Sequence, residues 1–322
     1  MLRLTVTAPA RLTDDVLQRL ASDPAVSALV VVRGAAIRPS GDLVTADVAR
    51  EAANDVLNAL RALGVQHEGT VHIESVPTWL SADAYAAERL APGSSADAVV
   101  WAEVTQRAYE DSELNWTYLS FMTLATVLAA IAIVLDSQIL VIGAMVLGPE
   151  FGAVAALGLS LVRRRWTLLR MAARTLAAGF AISMVLTTLA AWAARAAGWI
   201  EIEAVTGPRP GTGFVYSPDR WSLVVALIAA AAGVLSLTSA RLGGLSGVFI
   251  SVTTIPAAGN VALAVAFGVG HEAWGSLLQL TVNLVGMGLA GWATLAFQQA
   301  VWARMSRRRA HIVARWRDRG RA

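Results

Sequence analysis

The 322 residues are 56% hydrophobic and 15% charged with a mean hydropathy of +0.56, a balance that soluble globular chains of average usage do not reach. The net charge of +3 is an arginine effect, since all 26 basic residues outside histidine are Arg, and 16 of the 23 acids lie before Trp116. That gradient argues against a uniformly basic nucleic-acid binder, and the absence of cysteine excludes disulfides, thiolate metal sites and cysteine nucleophiles.

The acid-rich start predicts a soluble domain and the remainder a membrane domain. "MLRLTVTAPARLTDD" has too short an apolar run, broken by Arg3 and Arg11, for a secretory signal peptide, so the first spanning helix is expected to direct insertion. Residues 2–7 read as a strand, and "TDDVLQRLAS" as a helix with Thr13 as its cap. "AVSALVVVRG" is a second strand, "DLVTADVA" alternates at period two as a third, "EAANDVLNALRALG" is a helix closed by Gly64, and "GTVHIESV" is a last strand. The order βαββαβ predicts an N-terminal α/β ferredoxin-like domain over 1–76, placed in the cytoplasm. His67 and His72 lack a carboxylate or thiol partner and read as surface residues. Residues 77–115 form a helical connector, with helices over 81–90 and 97–113 separated by "APGSS".

From Trp116 onward, six segments are apolar enough to span: 116–135, 137–162, 167–195, 221–240, 243–268 and 273–302. Tryptophans stand at many of their ends, where an amphipathic ring sits best. With both termini cytoplasmic, the inner connections collect fourteen arginines against Arg195, Arg209 and Arg220 outside, which is the positive-inside asymmetry. The Pro- and Gly-rich stretch 206–219 is the long outer loop. The basic cytoplasmic tail, 303–322, resembles an RNA-binding arm in composition, but arginines beside a membrane helix are better matched to anionic lipid headgroups. The expected partners are the lipid bilayer and those headgroups, without nucleic acid, and with homo-oligomerisation left open.

The second span carries Pro149 and Glu150 side by side in "VIGAMVLGPEFGAVAALG". A carboxylate at bilayer depth costs at least about 2.5 kcal/mol and proline removes a backbone donor where no water replaces it. The fifth span is interrupted likewise in "FISVTTIPAAGNVALAVAFG". Setting Pro149 on Pro256 also aligns Gly152 with Gly259, Val154 with Val261 and Ala155 with Ala262. Each is the middle span of three, so the halves are expected to form a 3+3 inverted repeat with two Pro-broken helices, the architecture of many secondary transporters.

The expected substrate- or ion-binding residues are Glu150, Pro149, Gly148 and Gly152 from the first break and Thr253, Thr254, Pro256, Gly259 and Asn260 from the second. Proline frees a carbonyl one turn earlier, the glycines permit unwinding, and the freed groups can coordinate an ion or polar solute beside Glu150. The competing structural reading pairs Glu150 with Arg170 or Arg174. Gln279 and Asn283 on the last span read either as cavity-lining amides or as interhelical glue.

"SQILVIGAMVLGPEFGAVAALGLSLV" and "GVFISVTTIPAAGNVALAVAFG", behind a small α/β domain, resemble the uncharacterised bacterial membrane proteins of the domain of unknown function 389 family, over about residues 60–300. The Ile-Gly-Ala-Met run before the proline is the most specific part. The resemblance implies that many members carry an apolar residue where this chain has Glu150, and it supplies no substrate, reaction or cofactor. The expectation is a multi-pass inner-membrane secondary transporter or channel for an ion or small solute. The alternative is a membrane-anchored sensor whose cytoplasmic domain binds a ligand or partner. Neither an enzyme nor a cofactor is expected: the spans hold no paired aspartates, His-Glu-x-x-His string or Gly-x-Ser-x-Gly elbow.

Overall fold

The computed structural model describes residues 1–91, 93–95, 97–215, 220–239 and 254–319. Contacts divide the chain into two compact units. One holds residues 1–103 with the chain's end from Gln298, and the other runs from Val104 to Leu237 and on to Phe297. The segment read as a connector is therefore shared out, up to Glu103 in the first unit and from Val104 in the second.

In the first unit the elements are β1 (Leu2–Ala8), α1 (Ala10–Ala21), β2 (Val26–Ile37), β3 (Ser40–Val48), α2 (Ala53–Ala62), α3 (Val65–Glu68) and β4 (Thr70–Ser75). They form one antiparallel sheet in the order β2-β3-β1-β4. Alternation places Leu2, Leu4, Val6 and Ala8 of β1 inward, where they meet Val16 and Leu20 of α1 and Val56, Leu57 and Leu60 of α2. The helix read as starting at Thr13 begins at Ala10, after Pro9. Thr13 lies buried inside it, with its hydroxyl on the Pro9 carbonyl at 3.3 Å. In β2, Gly34 takes a φ of +66° at an irregularity in the ladder, and its N–H donates to Asp42 at 2.8 Å. That N–H, together with the Thr13 hydroxyl and Arg33, holds the Asp42 carboxyl below its ordinary range.

Residues 77–103 close this unit. Ser81 caps α4 (Ala82–Leu90), accepting from the Ala84 N–H. Asn54 donates to the Val99 carbonyl at 2.6 Å and accepts from the Trp101 N–H at 3.1 Å, while the buried Arg50 reaches the Ala98 carbonyl and Glu103, both at 3.1 Å. From the chain's end, Ser306 donates to Asp55 at 2.8 Å.

The second unit is helical. α5 (Trp101–Asp111), which belongs to it from Val104, leads to α6 (Trp116–Val134), α7 (Gln138–Leu147), α8 (Glu150–Arg163), α9 (Trp166–Ala196), α10 (Glu203–Thr206), α11 (Arg220–Thr238), α12 (Thr254–Phe267) and α13 (Gly270–Arg319), which belongs to it as far as Phe297. Among the described residues, three helices are long and apolar enough to cross a membrane: α6, α9 and residues 270–307 of α13. They become four if α7 and α8, bent by 56°, are one broken span, while 223–238 and 254–267 are shorter apolar helices. The last span and the tail, read as separate, are one helix of 50 residues. Most of α12 is buried, packed on α6 and α9. At Gly259 it approaches so closely that an added Cβ would lie 2.9 Å from both Ala129 Cβ and Ala130 N. At Gly158 of α8 a Cβ would meet the α13 backbone at Trp292 N, 2.7 Å away. Exposed tryptophans, Trp116, Trp166, Trp199, Trp221 and Trp274, stand at or beside helix ends.

Candidate functional site

The break between α7 and α8 is made by Gly148 and Pro149. Gly148 is extended (φ −66°, ψ 125°), and Pro149 stands just ahead of α8, where its missing N–H removes no intrahelical bond. Glu150 is the first residue of α8, so its carboxylate sits at the positive end of that helix. The side chain is 1% exposed. Its Oε1 accepts from the Thr254 hydroxyl at 2.6 Å, and its Oε2 has no hydrogen-bond partner among the described residues. Gly148 has no room for a Cβ, which would run into Glu150 Oε2 and approach Ile255 Cγ1 to 2.8 Å. The glycine is therefore required by the acid and by α12, not only by the turn.

Beside the break opens a cavity of about 370 Å³, lined by Gly148, Pro149 and Gly152 on one side and by Asp111, Glu113 and Tyr118 on the other. Gly152 lies directly on Asp111, whose Cγ would be 2.7 Å from an added Cβ. Tyr118 packs against Gly179 of α9, lies within electrostatic reach of Glu150, and has no partner for its buried hydroxyl. The arrangement is a buried carboxylate with one open oxygen, next to an acid-lined opening.

Gly148, Pro149, Glu150 and Thr254 thus come together, with Gly152 at the cavity. Thr253 lies outside the described residues. Pro256 sits in the first turn of α12, where the N–H groups lack intrahelical partners anyway, so it does not interrupt that helix within the described residues. Gly259 faces α6 as a close-packing residue. Asn260 belongs to a different cluster, about 9 Å along α12 from Thr254. It donates to Ser276 at 2.8 Å and to Glu272 at 3.3 Å, and accepts from Arg209 at 3.1 Å; Arg209 pairs with Glu272 at 2.5 Å. The reading of Glu150 as an ion-pair partner of Arg170 or Arg174 is not met among the described residues: Thr254 holds Oε1, Oε2 is unpaired, and both arginines are exposed.

Sequence reasoning passed over Tyr118, Asp111, Arg209 and Glu272. Glu272, Ser276, Gln279 and Asn283 do recur at helical spacing, a signal legible without coordinates. Arg209 carried no local signal. Near this cluster, Asp136 adopts a φ of +47° just beyond α6 and accepts from the Gly211 N–H at 3.1 Å and the Thr212 hydroxyl at 2.8 Å. Burial alone would push the Asp136 carboxyl up, but these donors outweigh it and hold the group below its ordinary range.

Comparison with known proteins adds a family resemblance over part of the chain and no activity. The model of a domain of unknown function (DUF389) matches residues 145–289. An uncharacterized protein of Methanocaldococcus jannaschii is 23% identical over 188 residues, which is 58% of this chain and 56% of that protein, so the match spans little more than half of the relative. No solved structure matches. The resemblance read from the sequence is thus matched over the stretch with the Gly148–Pro149 break, α12 and the buried face of α13, where residues 145–289 are similar to the DUF389 family.

Proposed function

We propose that this chain is an integral inner-membrane protein that moves a small monovalent cation, a proton or a metal ion, with Glu150 as the ion-binding carboxylate. One observation carries the reading: a fully buried Glu150 at a broken helix, with Thr254 on one oxygen and nothing on the other. A buried carboxylate without a counter-charge is costly, and such groups in apolar helices mark ion and proton routes. Gly148, Pro149 and Gly152, which flank Glu150 in the chain, line the neighbouring acid-lined cavity, and acids there would concentrate cations at its mouth. The role is movement of a solute, not covalent chemistry.

The 3+3 inverted repeat belongs to this proposal. It is supported by the Pro149/Pro256 alignment and by the matched glycines Gly152 and Gly259, both of which stand where a Cβ would collide with a neighbour. The α/β domain and the Arg-rich end are assigned to the cytoplasm, with the eight arginines from Arg304 to Arg321 beside anionic headgroups. In this thiol-free chain, single cysteines at Ser40 and Arg164 are expected to resist an impermeant thiol reagent in intact cells, and one at the exposed Glu201 to react. Labelling at Ser40 in sealed cells would reverse the orientation. Thr212 is unsuitable as the outer probe, because it is fully buried against Asp136.

The transport reading is tested in proteoliposomes under imposed proton and sodium gradients. The purified chain is expected to dissipate one of them faster than protein-free vesicles. Equal leak with and without protein, for both ions, sinks it.

A further inference from the structure

A second set of buried polar side chains lies beyond the Glu150 site. On α13, Glu272, Ser276, Gln279 and Asn283 follow at spacings of four, three and four, which puts them on one helix face, and all are buried. Gln279 is 0% exposed, yet neither its Oε1 nor its Nε2 has a partner among the described residues. Leaving a buried polar group unmet is costly, so an amide unpaired at both ends is retained where water or a polar solute meets it.

The connection between α12 and α13 fixes where this face runs. Gly268, at φ +76°, ends α12, the Val269 N–H returns to the Ala264 carbonyl at 2.8 Å, and α13 starts at Gly270. Asn260 holds Ser276 and Glu272 across the pair, so the two helices run antiparallel. Each further turn along α13 then lies level with an earlier turn of α12. Gln279 comes level with the turn from Thr254 to Pro256, where the Thr254 hydroxyl holds Glu150, and Asn283 lies one turn beyond it on the same face. The buried amides lead from the Asn260 cluster to the ion site.

The two ends of this route differ. The cavity is lined by Asn115, Thr117 and Tyr118, at the start of α6. Asp136, which ties down Gly211 and Thr212, follows the far end of that helix, about 28 Å away. There Arg209 reaches inward to Asn260 and Glu272. One end is open and acid-lined, and the other is fastened by a buried ion pair.

We infer that Gln279 and Asn283 line an aqueous lane for the cation between Glu150 and Glu272, and that Arg209, held by Glu272 and Asn260, is the gate at its far end. The inference rests on the transport reading of Glu150. Between the two carboxylates the described residues of this face, Ser276, Gln279 and Asn283, are neutral amides and a hydroxyl, whose oxygens suit a partly dehydrated cation, while an anion would meet a carboxylate at each end. Opening requires Arg209 to leave both partners, and Glu272 is then free to receive the ion.

The chain holds no cysteine, so Gln279→Cys is a unique probe for 2-aminoethyl methanethiosulfonate on the purified full-length protein, read by mass. Labelling is expected to be slow in the parent background and about tenfold faster with Arg209→Gln, as the gated state becomes more populated. Arg209→Lys, which keeps a charge on Glu272, should remain slow. Leu280→Cys, next along the helix and in the apolar core, should stay unreactive in every background and so detects general loosening. The same Gln279→Cys rate with and without Arg209→Gln, no reaction in either, or joint labelling of Leu280→Cys overturns the gated lane. Because labelling needs no ion flux, gated labelling in a chain that carries no ion sinks the Glu150 reading and the lane's role for a cation while leaving the gated access itself, and flux without gated labelling sinks the lane alone.

Discussion

Gly259→Ala is expected to lower the melting temperature of the purified chain, and Gly143→Ala to raise it. Both glycines lie in apolar helices, so propensity alone favours alanine at each by about 0.5–1 kcal/mol. Space decides otherwise at Gly259. Its new Cβ would sit 2.9 Å from Ala129 Cβ and Ala130 N and 3.1 Å from the Thr126 carbonyl. Two of those atoms are backbone of α6 and cannot rotate away, so α12 must move, and overpacking of this kind costs about 1–3 kcal/mol or more. At Gly143 the nearest atom is the flexible Leu128 Cδ2 at 3.9 Å, an ordinary contact. Opposite shifts by thermal melting in detergent check the close approach. A Gly259→Ala protein as stable as the parent would mean that α12 and α6 do not cross as described.

The sequence made the α/β unit legible because its signals are local. Leu2, Leu4, Val6 and Ala8 alternate, and Val16 and Leu20 repeat at helical spacing, so element order follows from periodicity. The start of α1 was misread because Thr-Asp-Asp looks like a cap, whereas Thr13 satisfies its hydroxyl on the carbonyl of Pro9 within the helix. The clamp by Arg50 and Asn54 could not be read, since its partners lie 45 to 53 residues away. The end of α13 was taken for a separate tail on charge alone. No glycine or proline falls between Trp292 and Asp318, and arginine is a good helix former, so nothing stops the helix there.

At the candidate site the same division holds. Gly148, Pro149 and Glu150 stand out in an apolar run, and the bend lies where they predict it. Thr254 was named as a polar neighbour from the second break, but the hydrogen bond itself, between residues 104 apart, carries no local signal. Arg209 entered the sequence reading only as an outer charge, and its burial depends on Glu272, 63 residues on. Asn260 was assigned to the Glu150 site by repeat symmetry, which aligns sequence positions and not depths. A helix advances about 1.5 Å per residue, so the six residues from Thr254 carry Asn260 to a separate cluster.

Glu150→Gln is expected to leave the fold intact and reduce ion flux to the level of protein-free vesicles. Glutamine keeps the volume, and its carbonyl can accept the Thr254 hydroxyl as Oε1 does at 2.6 Å. The amide nitrogen takes the place of Oε2, which has no partner to lose. Stability should therefore change by no more than about 1 kcal/mol, the size of one net hydrogen bond. Breaking a buried ion pair would instead cost about 3–5 kcal/mol, because the abandoned charge stays behind. What glutamine cannot do is bind a cation by charge or exchange a proton, so a site that works through the carboxylate is silenced while its surroundings persist. The two readouts are melting in detergent and flux in proteoliposomes on the same preparation. A large fall in melting temperature would reveal a counter-charge on Glu150 and return it to a structural role. Parental flux in a well-folded Glu150→Gln protein would place the ion route elsewhere, whereas lost flux with kept stability ties the cost of burying this carboxylate to its use.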